Sequence, residues 1–306
     1  MTRASAKGTW NGSPVQPPDL HSRDFENILL IKLSALGDVV QTLPVLNKLR
    51  QRYPKARIDW LVAPPVDELL RHNPAITGTI EFSRGEKIAS LAPFVGAARL
   101  IATLRAARYD LVLDLQSQLR SAVFAFASGA PVRIGFDKPR ADLWTSLQRQ
   151  IPDEARKHAW QGAREGSWLA YTHHIAVPAL DTHPVERNLG VAPLLGLDGG
   201  AADFSFPLPQ EALTRIDALL DYYGIAKARL IAMAPGTSWE TKRWRSEAFA
   251  EVAQNFLKKG CAVTLVGSEN ERGVCDEVAG LAPGVVNLAG ETTISELGAL
   301  IRRASI

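Results

Sequence analysis

Short, wholly apolar runs that end in small-residue loops, each followed by a helical pattern, constrain this chain more than any other feature. The first reads Ile28-Leu29-Leu30-Ile31, then Ser34-Ala35-Leu36-Gly37, and delivers Asp38 to the mouth of a helix. A run apolar at every position is what a strand buried on both faces requires, and such strands belong to parallel sheets covered by helices. A loop leaving such a strand opens at the carboxyl end of the sheet, where ligands bind in open α/β folds. Asp38 therefore stands where these folds do their chemistry. Two roles fit it: a cap for the following helix, or a general base that takes a proton from a hydroxyl. Spacing alone leaves both open. Pro44 inside the helical pattern predicts a kink or a helix that starts nearer Thr42, and a Thr42 cap would release Asp38 for chemistry.

The same alternation continues along the chain. Strands are predicted at 28–33, 57–62, 76–82, 111–114 and 132–136, with helices through 40–49, 66–72, 94–108 and 119–127 between them. The 94–108 helix is basic and amphipathic, with Leu100, Ile101 and Leu104 on one face and Arg99, Arg105 and Arg108 elsewhere. Residues 137–161 mix charges with Pro139 and Pro152 and predict a long loop or a small inserted helix. Helical patterns follow at 165–171, with His173-His174 in its tail, and at 184–195. After a Gly- and Pro-rich stretch the pattern restarts: helix 210–223, strand 230–234, helix 246–259, strand 262–266, helix 270–281, strand 285–288 and helix 293–303. Strand, helix, strand at this spacing makes right-handed crossovers and hence a second parallel sheet. The expected domains are a disordered Gly/Ser/Pro-rich extension at 1–24, a first parallel α/β domain at 25–196, a linker at 197–209 and a second parallel α/β domain at 210–306.

Bulk properties narrow the function classes. A chain of 306 residues with a formal charge of +3 is only mildly basic. That suits an anionic ligand or membrane surface and does not argue for nucleic acid, since basic clusters interleaved with aromatics are missing. The two cysteines, Cys261 and Cys275, lack metal spacing, and His173-His174 has no third ligand, so no metal site is expected. Cys261 fits a small residue packed in a strand. With neither a signal-peptide core nor a membrane-length apolar run, a cytoplasmic protein is expected, at most touching the membrane from that side.

Three loops carry candidate chemistry. Pro235-Gly236-Thr237-Ser238-Trp239-Glu240-Thr241-Lys242-Arg243-Trp244 leaves the first strand of the second domain. Gly236 lets the backbone turn, Thr237 and Ser238 offer donors, and Lys242 and Arg243 bring charge, which suits a diphosphate. The competing reading is a solvated basic loop before a helix with Trp244 buried. Gly267-Ser268-Glu269-Asn270-Glu271 leaves the next strand and offers a carboxylate to a ribose hydroxyl pair, or merely to a helix dipole. Arg120, Arg164-Glu165 and His183 with Glu186-Arg187 are further candidates, but each taken alone reads first as a surface ion pair or a solvated face.

As an ordered set these residues resemble the ADP-heptose:lipopolysaccharide heptosyltransferases, glycosyltransferase family 9. The resemblance runs from about Asn27 to the last residue. It rests on K-L-S-A-L-G-D-V-V-Q-T-L-P at 32–44, D-W-L-V at 59–62, D-L-Q-S-Q-L-R-S at 114–121 and R-E-G at 164–166. H-P-V-E-R at 183–187, T-S-W-E-T-K-R-W at 237–244 and G-S-E-N-E at 267–271 complete it. Its K-L-S-A-L-G-D form looks more like heptosyltransferase I than II. The resemblance implies a GT-B architecture, two Rossmann-like domains facing across a cleft. It implies inverting, metal- and cofactor-free transfer of heptose from ADP-heptose to a Kdo sugar on a Kdo-lipid A type acceptor, at the inner face of the cytoplasmic membrane. By matching position, Asp38 would be the base. Lys242 would stabilise the departing diphosphate, with Thr237 and Ser238 binding it and Glu271 holding the ribose. Ser34, Gly37, Arg120 and Arg164 would serve the acceptor. Ala63 stands where relatives often carry a glutamate. The family's Asp-Ser/Thr-Gly-x-x-His segment would begin just past Ile306, so an incomplete second domain is expected, and with it the alternative of an inactive fragment that only binds acceptor or a partner. A nucleotide-binding oxidoreductase is disfavoured because no G-x-G-x-x-G turn is present.

Overall fold

A computed structural model describes residues 20–82, 92–138, 162–176, 182–237 and 240–306. Compact contacts divide the chain into two units, 1–61 with 84–204, and 62–83 with 205–306.

The first unit carries the strands β1 (Asn27–Ile31), β2 (Arg57–Val62), β4 (Leu111–Asp114), β5 (Val132–Phe136) and β6 (His173–Ile175) of a six-stranded sheet in the order β3-β2-β1-β4-β5-β6, whose edge strand β3 (Gly78–Glu81) lies in the 62–83 segment. β1 pairs in parallel with β2 and β4, and β5 with β4 and β6. Residues 28–31 of β1 are fully buried, as a central parallel strand demands. The order reverses at β1, so the crevice beyond the ends of β1 and β4 is a topological switch point. The helices of this unit are α1 (Leu36–Val40), α2 (Leu43–Arg52), α3 (Ala92–Ala106), α4 (Leu119–Ala127), α5 (Pro184–Leu189) and α6 (Ala192–Leu195).

Several expectations change here. His173 and His174 lie in edge strand β6, not in a helix tail; short β-paired segments next to a turn escape a periodicity argument. The pattern at 165–171 closes only a 3₁₀ turn, Ser167–Ala170, and that at 66–72 only Val66–Leu69. The single helix expected at 184–195 is two, because Pro193, which has no amide hydrogen, opens the second one. Leu20 and Phe25 are buried, so ordered structure begins ahead of Asp24. The reading of residues 1–19 as disordered, and nearly all of the loop expected at 137–161, lie outside the described residues.

The second unit carries β7 (Leu230–Met233), β8 (Ala262–Leu265) and β9 (Val286–Asn287), parallel and in that order. Its helices are α7 (Gln210–Tyr222), α8 (Ser246–Lys258), α9 (Arg272–Leu281) and α10 (Ile294–Arg303). One apolar layer joins Ile216, Leu219 and Leu220 of α7 to Ala299 and Leu300 of α10. The other joins Ala250 and Ala253 of α8 to Cys275 and Val278 of α9, so helices cover both faces of the sheet. Cys275 is fully buried, and burial pushes its thiol up to about 11, which makes it an inert core residue. Cys261 is half-buried and packs against the same layer. On the free side of β7 the chain returns in the same sense, with Ser305 N–H donating to the Leu230 carbonyl (2.8 Å) and Ala232 N–H to that of Ile306 (2.9 Å). β7 is thus flanked on both sides, and the loop after it also leaves from a switch point. Residues 62–83 join this unit partly through Glu68. Its carboxylate accepts the N–H groups of Ile294 (3.2 Å) and Ser295 (3.0 Å) at the start of α10.

Candidate functional site

In the first unit, register brings two loops together. Ile31 of β1 pairs with Asp114 of β4, so the chain leaves both strands side by side. Lys32, 6% exposed, donates its amine to the Leu115 carbonyl at 2.9 Å, and Leu33 N–H donates to the Gln116 side chain at 3.2 Å. Burial pushes the Lys32 amine down; the Asp38 carboxylate pulls it back up, and Arg187 works with burial. Arg187 of α5 is likewise lowered by burial and raised by Asp38, with Arg164 opposing. Both side chains thus feel the Asp38 carboxylate, Lys32 from a buried and Arg187 from a half-buried position. Arg187 was among the sequence candidates, read there as a surface charge; Lys32 was present in a quoted motif but was not singled out. A lysine at the end of an otherwise apolar strand was the available signal.

Asp38 itself is half-buried in the first turn of α1. Its Oδ2 accepts the Ala35 N–H at 3.1 Å, half of a capping box that Ala35, lacking an acceptor, cannot complete. Thr42 does begin α2, with Pro44 in its first turn, but this does not free Asp38 of a capping role, because α1 is a separate helix. Cap and chemistry are compatible here, since the cap uses one oxygen of the carboxylate. Ser34 is half-buried in the same loop, and a side chain at Gly37 would meet nothing within 4 Å, so the loop borders open space.

Beneath this lies a buried polar brace. Asp114 is fully buried and accepts from the Ser117 N–H (2.9 Å), the Gln116 N–H (3.0 Å) and the Tyr171 hydroxyl (2.8 Å). Burial pushes the Asp114 carboxyl up, against the hydrogen bonds from Ser117 and Tyr171 that favour its charged form. Gly135 is required because any Cβ there would lie inside the Tyr171 ring. Ser117, held at φ 48°, turns its carbonyl to Arg164 N–H (2.9 Å) and to the Ser167 hydroxyl (3.0 Å). The 164–170 turn is thereby tied to the loop after β4. Arg164 is exposed on that turn, and Arg120 is exposed on the second residue of α4.

In the second unit, Thr237 is half-buried in the loop after β7, and Lys242 is exposed at the end of the 3₁₀ turn Glu240–Lys242. Ser238 lies outside the described residues. Trp244 is not buried as one reading required. It is 51% exposed, with one edge against Phe249 at 5.1 Å between ring centres. Glu271 belongs to the turn after β8. Its Oε2 accepts both the N–H and the hydroxyl of Ser268 at 2.7 Å. A Cβ on Gly236 would come to 2.6 Å from the Glu271 carboxyl carbon, so the glycine lets the two loops meet. Among the described residues no group of three His, Cys, Asp or Glu side chains could hold a metal ion. No described helix is long and apolar enough to cross a membrane.

The sequence model of glycosyltransferase family 9 (heptosyltransferase) matches residues 97–165 and 153–306, more than half of the chain. The chain belongs to this family. It is therefore a glycosyltransferase, and the α/β fold with its parallel sheets is that of solved family 9 enzymes. Lipopolysaccharide heptosyltransferase 3 of Escherichia coli (strain K12) is 29% identical over 88% of this chain and 72% of its own. Lipopolysaccharide heptosyltransferase 1 of Pseudomonas aeruginosa is 26% identical over 86% and 66%. These identities do not favour type I in particular. The family 9 glycosyl transferase of Veillonella parvula superposes with a TM-score of 0.76 at 19% identity, covering 94% of this chain and 75% of that one. The E. coli heptosyltransferase WaaC with ADP-2-deoxy-2-fluoro heptose does so at 0.64 and 22%, covering 91% and 80%.

Proposed function

We propose that this glycosyltransferase moves heptose from ADP-heptose to a Kdo sugar of the lipopolysaccharide inner core, with inversion and without a metal. The observation that carries the reading is the half-buried Asp38 carboxylate on the loop that leaves β1 at the first switch point, close after the buried Lys32. Asp38 takes the proton of the acceptor hydroxyl as its oxygen attacks the anomeric carbon. The bond from that carbon to the diphosphate breaks, and ADP departs with the electron pair. A single displacement inverts the centre. Arg187 and Arg164 offer positive charge to the anionic acceptor, with Ser34, Gly37 and Arg120 as further contacts.

On the donor side, Thr237 and Ser238 bind the diphosphate, and Lys242 compensates the charge that grows on it in the transition state. Glu271 receives the ribose hydroxyls with a carboxylate already oriented by Ser268. WaaC holding an ADP-heptose analogue, and relatives named for lipopolysaccharide, support this choice of donor and acceptor. The enzyme works on the cytoplasmic side, peripheral to the membrane. The test is ADP release with ADP-heptose, ADP-glucose and UDP-glucose, each with a Kdo-lipid A acceptor. Turnover confined to ADP-heptose is expected. Equal turnover of a hexose donor would overturn the heptose assignment, and inhibition by a chelator would overturn metal independence.

A further inference from the structure

One surface of the first unit is unlike the rest. On α4, Leu119, Val123 and Phe126 follow one another at i, i+4 and i+7, and they are 52%, 47% and 64% exposed. The opposite stripe of the same helix, Ser121, Ala122 and Ala125, is buried, so α4 is apolar on two faces with only one of them used. Leu169, on the neighbouring 3₁₀ turn, is 81% exposed. These four make up four of the ten large exposed apolar side chains among the described residues, gathered around a shallow concavity of about 400 Å³. Soluble surfaces rarely gather such residues without a partner.

Charge chooses the partner. Neither α3 nor α4 contains an acidic residue. Exposed Arg105 of α3 reaches the end of α4, where its Nε donates to the Ala127 carbonyl at 2.9 Å. Arg120 stands on α4, and the Arg133 guanidinium lies 5.6 Å over the Phe126 ring. The one carboxylate on the rim, Glu165, accepts the Leu119 N–H that begins α4. A second copy of this chain docking through the same face would set these arginines against each other. A bilayer with anionic headgroups offers both an apolar interior and opposite charge.

We propose that the α4 stripe with Leu169 seats on an anionic lipid surface, with Phe126, Val123 and Leu169 entering the headgroup boundary and the arginines meeting lipid phosphates. The surface joins the acceptor site through the 164–170 turn. Leu169 stands near one end of that turn, and Arg164, which Arg187 senses, stands at the other. Resting on the acceptor reading above, this places the lipid end of the acceptor in the membrane while its sugar reaches Asp38.

The test is flotation of the full chain with vesicles of phosphatidylethanolamine and phosphatidylglycerol, against pure phosphatidylcholine. Wild type should float with the anionic vesicles and not with the neutral ones. Phe126→Ser with Leu169→Ser should weaken binding by about tenfold or more. Arg105→Gln should weaken it severalfold, more so at low salt. Both variants should keep the melting temperature of wild type, since the side chains are exposed. Flotation of the double variant equal to wild type would overturn the proposal. So would a dimer in sedimentation equilibrium that the double variant abolishes while vesicle binding is unchanged. A chain that floats as described yet turns over no heptose donor would support this surface and overturn the acceptor reading alone.

Discussion

The two switch points of this enzyme are built differently. Beyond β1 and β4, the charged groups are braced before any substrate arrives. Lys32 is anchored on the Leu115 carbonyl, Asp114 gathers three donors, and Tyr171, just after the Ser167–Ala170 turn, closes the network. Beyond β7, Lys242 is exposed on a short 3₁₀ turn, while Glu271, on the turn after β8, is clamped by Ser268. The difference follows from the chemistry proposed for each. A general base works only if its hydroxyl is placed within hydrogen-bond reach, which a rigid, buried scaffold provides. A diphosphate is a strong, multiply charged ligand, and exposed cations on a loop can gather around it.

Four measurements would break or sharpen that contrast. The largest effect is expected at Asp38→Asn. Asparagine keeps an oxygen for the Ala35 N–H, so the melting temperature should hardly change, while kcat for ADP release falls by about 10²- to 10⁴-fold. Retained activity with lowered stability would return Asp38 to a cap alone. Next is Asp114→Ala, which strands two backbone amides and the Tyr171 hydroxyl in the interior. A loss of roughly 3 kcal/mol is expected, seen as a melting drop of about 6–12 °C. A drop smaller than that of an exposed control substitution would mean that the brace does not hold the first site.

Lys242→Ala should leave stability untouched and weaken ADP binding by roughly tenfold in calorimetry, the scale of one charge-assisted contact. An unchanged affinity and rate would remove Lys242 from the donor site.

The smallest effect is expected at Glu68→Gln. Burial raises the Glu68 carboxyl, but hydrogen bonds from Ser295, Thr293 and Ile294 outweigh it and hold it below its ordinary value. A depressed carboxylate contributes stability above its unfolded pKa and loses it as pH falls through the folded one. The variant should therefore melt slightly lower at pH 7, by about 0.3–1 kcal/mol of helix-terminus interaction. The gap should close as the pH drops below about 4. A gap that persists at low pH would mean that shape, not charge, fixes the start of α10.

The sequence by itself determined the parallel αβ alternation, because buried central strands must be apolar at every position and their loops must hold small residues. Strands at 57–62, 111–114 and 132–136 and the helix at 119–127 were legible to the residue. Family membership was legible too, since it rests on an ordered set of motifs. Edge strand β6 was hidden because three residues carry no period. The pairing of Glu271 with Gly236 was hidden because it joins loops 35 positions apart. The cations around Asp38 were decided only by tertiary structure. Lys32 and Arg187 are ordinary letters in a sequence, and only register and burial draw them from water into the field of the Asp38 carboxylate.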